Sequence, residues 1–251
     1  MSSGRSGREE RQAKAAAMRA QVAKAEARRR QLMVGIVALV VIALTVTVFV
    51  VIQNARRDSE TASDATPANL GPENSITVGQ ASAPVTVVTY EDFQCPVCKQ
   101  FEDENAAQLD AWVKAGTVKI DYRPVSILDR ASTTNYSTRS LNAVGALVNS
   151  TPSAFAAFHK SLFAEQPPEN GDGLTDQRLI DLAVAAGAPK AAMTTAVKDQ
   201  TYEAWTKRVT EDASKAGLTG TPRVLINGTE LKQPTAVNVK AAVDAATASK
   251  K

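Results

Sequence analysis

The segment VTVVTYEDFQCPVC, residues 85–98, decides the fold of this 251-residue chain. Its first six residues are mostly β-branched, which favours a short buried β-strand. Its last four residues place two cysteines three positions apart, with Pro96 directly after the first. Proline is favoured in the first turn of a helix, because its fixed φ suits the helix and the N–H that it lacks would have no partner there. The segment therefore predicts a strand that leads into a helix, with Cys95 at the helix N-terminus.

This position predicts different chemistry for the two cysteines. The unpaired N–H groups and the positive dipole end at a helix N-terminus stabilise a thiolate, so we expect a lowered pKa for Cys95. Cys98 lies one turn further along the same side of the helix. It is close enough there to resolve a mixed disulfide formed at Cys95. The spacing therefore favours a redox pair.

Two other interpretations of the cysteine pair are weaker. An inert structural disulfide would close a very small loop, and the stabilisation from a disulfide grows with loop length. Half of a zinc site would need further soft ligands, and the chain has only these two cysteines and one histidine. We therefore expect the Cys95–Cys98 disulfide to be the reactive group, with no metal and no separate cofactor.

The segments that follow predict the order β-α-β, a helical block, and then β-β-α. A helix over residues 96–114 and a strand over 118–122 complete a βαβ unit with the first strand. An Asn227-Gly228 turn joins two short strands, 223–226 and 229–231, before a last helix over 235–248. Between these parts we expect five helices, near residues 133–149, 152–164, 176–186, 190–199 and 202–216.

The segment YEDFQCPVCK, residues 90–99, resembles the active-site segment of the DsbA-like thiol-disulfide oxidoreductases. The likeness is greatest to the membrane-anchored type of Gram-positive and actinobacterial cell envelopes. The resemblance implies an α/β, thioredoxin-like fold with an inserted α-helical domain. It covers residues 76–249, with the helical insertion at about 126–217.

The resemblance also implies roles for individual residues. Cys95 corresponds to the attacking cysteine and Cys98 to the resolving one, with Pro96 and Val97 between them in the active-site loop. Thr221 and Pro222 correspond to the family's cis-proline loop, which faces the cysteine pair and binds the substrate backbone.

Three features need comment against the family pattern. Many relatives carry an acidic proton acceptor six positions before the first cysteine, where this chain has Thr89. Glu91 and Asp92 are candidates for that role, although solvated loop charges are the simpler interpretation. A Pro-Val pair replaces the Pro-His of the most oxidising relatives, so we expect a less stabilised thiolate and a less oxidising disulfide. The single histidine, His159, is expected to be a packed or exposed helical residue rather than a substrate contact.

The N-terminal part has a different composition from the rest of the chain. Residues 1–31 carry nine basic and three acidic side chains, a charge of +6, which leaves −3 on the remainder because the total is +3. Residues 32–52 contain no charge, and as a helix they would be about 32 Å long, enough to cross a hydrocarbon core of ~30 Å. The basic excess before this span predicts a cytoplasmic arm, a transmembrane signal anchor in contact with the lipid bilayer, and an extracytoplasmic remainder. Residues 53–75 are polar and predict a flexible linker.

These features together predict a single-pass cell-membrane enzyme that introduces disulfides into translocated proteins. Its expected partners are unfolded, cysteine-containing proteins and a membrane reoxidase of the DsbB-like or VKOR-like type. A reductase or isomerase of the same fold is one alternative, and a non-enzymatic binding protein or holdase is another. We expect no nucleic-acid partner, because aromatic residues make up only 5% of the chain.

Overall fold

The computed structural model describes residues 65–249. The predicted cytoplasmic arm (1–31), the transmembrane anchor (32–52) and residues 53–64 of the linker lie outside the described residues. Within residues 65–249, every helix is too short or too polar to cross a membrane.

The described chain contains five strands and seven α-helices. The strands are β1 (Ile76–Val78), β2 (Val85–Glu91), β3 (Val118–Pro124), β4 (Arg223–Ile226) and β5 (Thr229–Leu231). The helices are α1 (Pro96–Lys114), α2 (Tyr136–Ser150), α3 (Phe155–Ala164), α4 (Asp176–Ala185), α5 (Lys190–Lys198), α6 (Glu203–Lys215) and α7 (Ala236–Ala248).

The strands form one mixed sheet in the order β1-β3-β2-β4-β5. Strands β2 and β3 are parallel and are joined by α1, so the predicted βαβ unit is confirmed. The other neighbouring pairs are antiparallel, including the β4–β5 hairpin at Asn227-Gly228. Strand β1 was not predicted, because three residues are too few to show a periodic pattern.

Side chains of β2 alternate between buried and half-buried along the whole strand. Val85, Val87, Thr89 and Glu91 occupy the buried face, since residues two apart in a strand point to the same side. The last polar residues of this face therefore lie inside the protein, directly before the cysteine segment.

Helix α2 is the centre of the helical block between β3 and β4, and twelve of its fifteen residues are buried. Gly145 allows this helix to lie close to the segment that begins α6. A Cβ atom at Gly145 would lie 3.1 Å from side-chain atoms of Trp205, Tyr202 and Pro67. Real Cβ atoms seldom approach other atoms so closely, so the packing requires a residue without a side chain.

The last part of the predicted linker is attached to the domain. The backbone N–H of Ala68 donates to Asn149 Oδ1 at 3.0 Å, and Asn69 Nδ2 donates to the Val148 carbonyl at 3.2 Å. Leu70 packs against the core. Residues 65–75 therefore differ from the expectation of a free linker, because these contacts join positions about 80 residues apart in the chain.

We expect Gly145→Val to lower the free energy of unfolding by about 1–3 kcal/mol, because overpacking forces Trp205 and Tyr202 to move. Urea denaturation measures the change. Ala192→Val, on the exposed side of α5, is the matched control and should cost less than about 0.7 kcal/mol, the scale of helix propensity alone. Equal stability of the two variants would contradict the close packing at Gly145.

Candidate active site

Cys95 occupies the N-cap position of α1, with Pro96 in the first turn, as the sequence predicts. The side chain is 5% exposed. The Cys98 thiol donates a hydrogen bond to the Cys95 sulfur, and this is the largest cause that lowers the Cys95 pKa to about 6. Burial opposes the shift, while Thr221 and the backbone N–H groups of Val97 and Cys98 add to it. Cys95 is therefore mainly a thiolate at neutral pH.

Cys98 has the opposite character. It is 1% exposed, and burial raises the pKa of its thiol far above the ordinary value. The hydrogen bond to Cys95 and the charge on Cys95 raise it further. Both cysteines are in the free, reduced state in this structure. The pair thus combines a ready nucleophile with a protonated partner one turn behind it.

The loop before β4 closes the site from the opposite side. The Thr221–Pro222 peptide bond is cis, as the resemblance implied. The Cys95 sulfur lies 3.4 Å from the Thr221 carbonyl oxygen. The fold therefore brings together two segments that are separated by 126 residues.

The other two residues of the motif face outward. Pro96 is exposed, and Val97 is 56% exposed, which is unusual for a large apolar side chain. An apolar side chain next to a nucleophile offers a contact for an unfolded protein chain.

Asp92 is buried, which corrects the expectation of a solvated loop charge. Its carboxylate accepts hydrogen bonds from Ser137 Oγ at 2.6 Å and from the backbone N–H groups of Gln94 and Leu128 at 2.9 and 3.0 Å. Burial is the main cause that raises its pKa to about 6, and these bonds counteract that rise. Three donors occupy the carboxylate, so Asp92 ties the cysteine loop to the helical block.

Gln166 supports the same loop, and the sequence reasoning missed it. Its side-chain Nε2 donates to the carbonyl oxygens of Phe93 at 3.0 Å and Cys95 at 2.9 Å. Gln94 donates in return to the Pro167 carbonyl at 3.2 Å. A glutamine in a polar loop carries no sequence signal for such a contact about 70 residues away.

Glu91 is also buried, again unlike a solvated loop charge, and it pairs with His159. The His159 Nε2 atom lies 2.6 Å from Glu91 Oε1, and the two residues are 3% and 1% exposed. Glu102 of α1 approaches the other ring nitrogen of His159, with 4.0 Å between Oε2 and Nδ1. His159, which was expected to be either packed or exposed on a helix, is packed, and its two acidic neighbours were not foreseen.

These three residues form the one group of potential metal ligands within residues 65–249. Their ligand atoms lie within 4.8 Å of one another. Two ligands of a tetrahedral zinc ion, each about 2.0–2.2 Å from the metal, lie roughly 3.3 Å apart. The 2.6 Å between His159 and Glu91 is instead the length of a charge-assisted hydrogen bond. The arrangement observed is therefore that of a proton-sharing group.

Thr89 lies six positions before Cys95, where the family resemblance leads us to expect an acidic side chain. Its side chain is 1% exposed, and its hydroxyl oxygen has no hydrogen-bond partner. A threonine hydroxyl does not titrate in the physiological range, so it does not supply a proton acceptor.

Comparison with known proteins agrees with this geometry. A family model described as Thioredoxin matches residues 72–245. The structure of the disulfide bond oxidoreductase DsbG from Mycobacterium tuberculosis is 30% identical with a TM-score of 0.61, and the match covers 71% of this chain and 94% of that protein. The chain belongs to the DsbA-like thioredoxin family.

Two further relatives of this DsbA-like chain differ in how much of their length is matched. The DsbA structure from Mycobacterium tuberculosis is 30% identical with a TM-score of 0.58, and the match covers 70% of this chain and 99% of that one. The serine/threonine-protein kinase PknE of Mycobacterium tuberculosis is 32% identical over 123 residues, 47% of this chain. That match spans only 22% of the kinase. The family match and the two oxidoreductase structures confirm the expected thioredoxin-like α/β fold and the expected class, a thiol-disulfide oxidoreductase.

Removal of the Cys98 thiol should raise the pKa of Cys95 in the DsbA-like domain. We expect Cys98→Ala to move this pKa above the value of about 6, because the largest stabilising hydrogen bond to the thiolate is lost. The pH dependence of alkylation by iodoacetamide reports the change. Val97→Ala is the control, because the exposed Val97 side chain donates nothing to Cys95. An unchanged Cys95 pKa in Cys98→Ala would contradict the proposed origin of the shift.

The free energy of unfolding of the reduced form should increase, relative to that of the disulfide form, as the pH rises from about 6 to about 8.5. The Cys95 pKa is lower in the folded chain, at about 6, than in the unfolded chain, at about 8.5. Such a group contributes its full stabilisation above the unfolded pKa and loses it as the pH falls through the folded value. The raised pKa of Cys98 would lower the stability of the reduced form only above about pH 8.5, so below that pH the difference between the two urea midpoints reports mainly Cys95. A difference independent of pH would be the contrary result.

Proposed function

We propose that this chain is an extracytoplasmic thiol oxidase that introduces disulfides into newly translocated proteins through its Cys95-Pro96-Val97-Cys98 pair. The observation that carries the proposal is the contrast between the two cysteines beside the cis-proline loop. The Cys95 sulfur, which the Cys98 thiol and the helix N–H groups stabilise as a thiolate, lies 3.4 Å from the Thr221 carbonyl oxygen, to which the protonated form of Cys95 donates. A protonated Cys98 is buried behind it.

The Cys95 pKa supports oxidation as the favoured direction. A stable thiolate favours the reduced form of the pair, which makes the disulfide form a stronger oxidant. Each unit of pKa corresponds to about 1.4 kcal/mol, or about 30 mV for this two-electron couple. A value of about 6 lies below that of thioredoxin, about 7, and above that of the most oxidising enzymes, about 3.5. A reductase or isomerase is therefore the alternative function.

The reaction begins with the disulfide form. A substrate thiolate attacks the Cys95 sulfur, the Cys95–Cys98 bond breaks, and Cys98 leaves and takes up a proton. A second thiolate of the same substrate then attacks the substrate sulfur of the mixed disulfide. This forms the substrate disulfide and releases Cys95 as a thiolate. The substrate loses two electrons and gains a disulfide, and the enzyme holds both cysteines reduced.

The loop around Thr221 supports the binding of an extended substrate. Its backbone lies next to the nucleophile, where a polypeptide could pair with it, and Val97 offers an apolar contact on the other side of Cys95. Unfolded cysteine-containing proteins are thus the proposed substrates. The basic arm and apolar span of residues 1–52 support a single-pass anchor in the cell membrane, with a DsbB-like or VKOR-like protein there as the reoxidant.

The redox state of the pair in living cells tests the direction of electron flow. We expect Cys95 and Cys98 to be mostly disulfide-bonded after acid trapping and alkylation with a mass-tagged maleimide. A mostly reduced pair would favour the reductase. Cys98→Ala should accumulate mixed disulfides at Cys95, because its Cys95 thiolate still attacks the disulfide of an oxidised partner and no Cys98 is present to displace that partner. Cys95→Ser should form none. A holdase would show the same non-covalent partners in both variants and no covalent adducts.

A further inference from the structure

Tyr90 lies between two arginine side chains, on the face of the sheet opposite to the buried face of β2. In the strand register it pairs with Arg123 of β3 and with Arg223 of β4, so the three side chains form a row across the sheet. The Cζ atoms of Arg123 and Arg223 lie 5.4 and 5.8 Å from the centroid of the Tyr90 ring. Arg223 directly follows Pro222 of the cis-proline loop. The row therefore lies at the end of the sheet that carries the cysteine pair.

A pocket with a volume of about 250 Å³ opens beside this row. Tyr90 and Arg123 form part of its wall, and the apolar part of the wall comes from Val125 and from Val209 and Ala213 of α6. Because a water molecule occupies roughly 30 Å³, the pocket has room for a whole side chain and part of its neighbour. The wall thus combines a guanidinium group with an apolar surface.

The Arg123 guanidinium is held in place but is not saturated with acceptors. The side chain is 15% exposed, and its Nη1 atom donates to the Tyr90 hydroxyl at 2.8 Å. Its Nε atom is buried, and no acceptor among the described residues lies within hydrogen-bond distance of it. A buried donor without a partner is costly, and more so on a charged group. This arrangement favours an additional oxygen acceptor at Arg123.

Glu73 supplies one carboxylate to Arg123 from the opposite side of the pocket. Its Oε2 atom forms an ion pair with Arg123 Nη1, although the Glu73 side chain is 71% exposed. The Glu73 backbone is left-handed, with φ of 55°, which is uncommon for a residue with a side chain. An exposed ion pair contributes little to stability, because water solvates both partners when they separate. Glu73 is therefore a carboxylate that a better-placed ligand can displace.

The other charges near the pocket have partners of their own. Asp212 of α6 is a second acid on the wall, and its carboxylate lies 3.9 Å from Lys215 Nζ. Arg223 pairs with Glu230 of β5, with 2.7 Å between Nε and Oε2. Arg123 is the basic group on the wall of the pocket. A ligand that enters between Arg123 and α6 thus meets a cation on one side and apolar side chains on the other.

We propose that this pocket binds an acidic side chain of the substrate polypeptide together with an apolar neighbour, and that Glu73 occupies the site until the substrate arrives. The inference rests on the proposed oxidation of unfolded proteins. Charge complementarity selects the carboxylate, because a guanidinium group binds the two oxygens of a carboxylate in a fork geometry. Arg223 lies two residues after Thr221, about 7 Å along an extended chain. A substrate chain that pairs with the Thr221 backbone can therefore reach the pocket with a residue close to its own cysteine.

Oxidation of synthetic dithiol peptides by the disulfide form of the full-length protein tests this specificity. Each peptide carries one Glu-Leu pair at a chosen distance from its first cysteine, and a matched peptide carries Gln-Leu there. At one distance we expect kcat/KM for the Glu peptide to exceed that for the Gln peptide by about 10-fold, the scale of a charge-assisted hydrogen bond. Arg123→Gln should abolish this ratio. Lys119→Gln should keep it, because Lys119 lies on the same strand and the same face as Arg123 but outside the pocket.

The role of Glu73 has its own variant. We expect Glu73→Gln to raise kcat/KM for the Glu peptide by about 2- to 5-fold, the scale of an exposed ion pair, because the competing carboxylate is removed. Glu104→Gln is the control for the loss of a negative charge, since Glu104 is exposed on α1 and bonded to Gln100. An unchanged value in Glu73→Gln would contradict the occupation of the site by Glu73.

Several results would overturn the proposal. One is equal kcat/KM for the Glu and Gln peptides at every distance, and another is a ratio that Arg123→Gln leaves intact. If Arg123→Gln does not fold, Arg123→Lys keeps the charge without the fork geometry, and it must lower the ratio. A preference for peptides with Lys at the same position would show that Glu73 and Asp212 select a cation instead. If the disulfide form oxidises neither kind of peptide, the proposed function itself fails.

Discussion

The start of α1 is the constraint on which the rest of the structure depends. A thiolate at Cys95 is stable only while the first N–H groups of the helix and the Cys98 thiol point at its sulfur. Strand β2 sets the direction in which α1 begins, and its parallel pairing with β3 fixes the strand. Asp92 and Gln166 then hold the short connection between strand and helix, each through contacts with the helical block. Residues of the helical block therefore hold the loop that carries Cys95.

The same support brings ionisable groups into the core. Isolated buried charges are costly, and the protein meets this cost in two ways. Asp92 accepts hydrogen bonds from three donors and has a structural role. Glu91 pairs with His159, while Glu102 keeps an unpaired oxygen next to a cavity. The first arrangement is saturated, whereas in the second Glu91 Oε2 and Glu102 Oε1 have no hydrogen-bond partner among the described residues.

Much of the fold was predictable because its helices are long and residues such as proline and glycine mark their ends. Helix α1 begins and ends at the predicted residues, since Pro96 marks its start and Gly116 follows its end. The five helices between β3 and β4 lie within a few residues of their expected positions. Strand β1 was missed because it is short. The attachment of residues 65–75 was missed because it depends on contacts with α2, about 80 residues further along the chain.

The sequence by itself determined the reactive pair, its place at a strand–helix junction, and its likeness to DsbA-like enzymes. These are local properties, set by residue spacing and by the chemistry of a helix N-terminus. Only the tertiary structure decided which polar residues surround that pair. Glu91 and Asp92 are adjacent in the chain, yet one meets His159 of α3 and the other meets Ser137 of α2. The physical reason is that the pKa of a buried acid depends on its neighbours in space. Those neighbours belong to helices far away in the chain, and the sequence pattern does not show which helix packs against which acid.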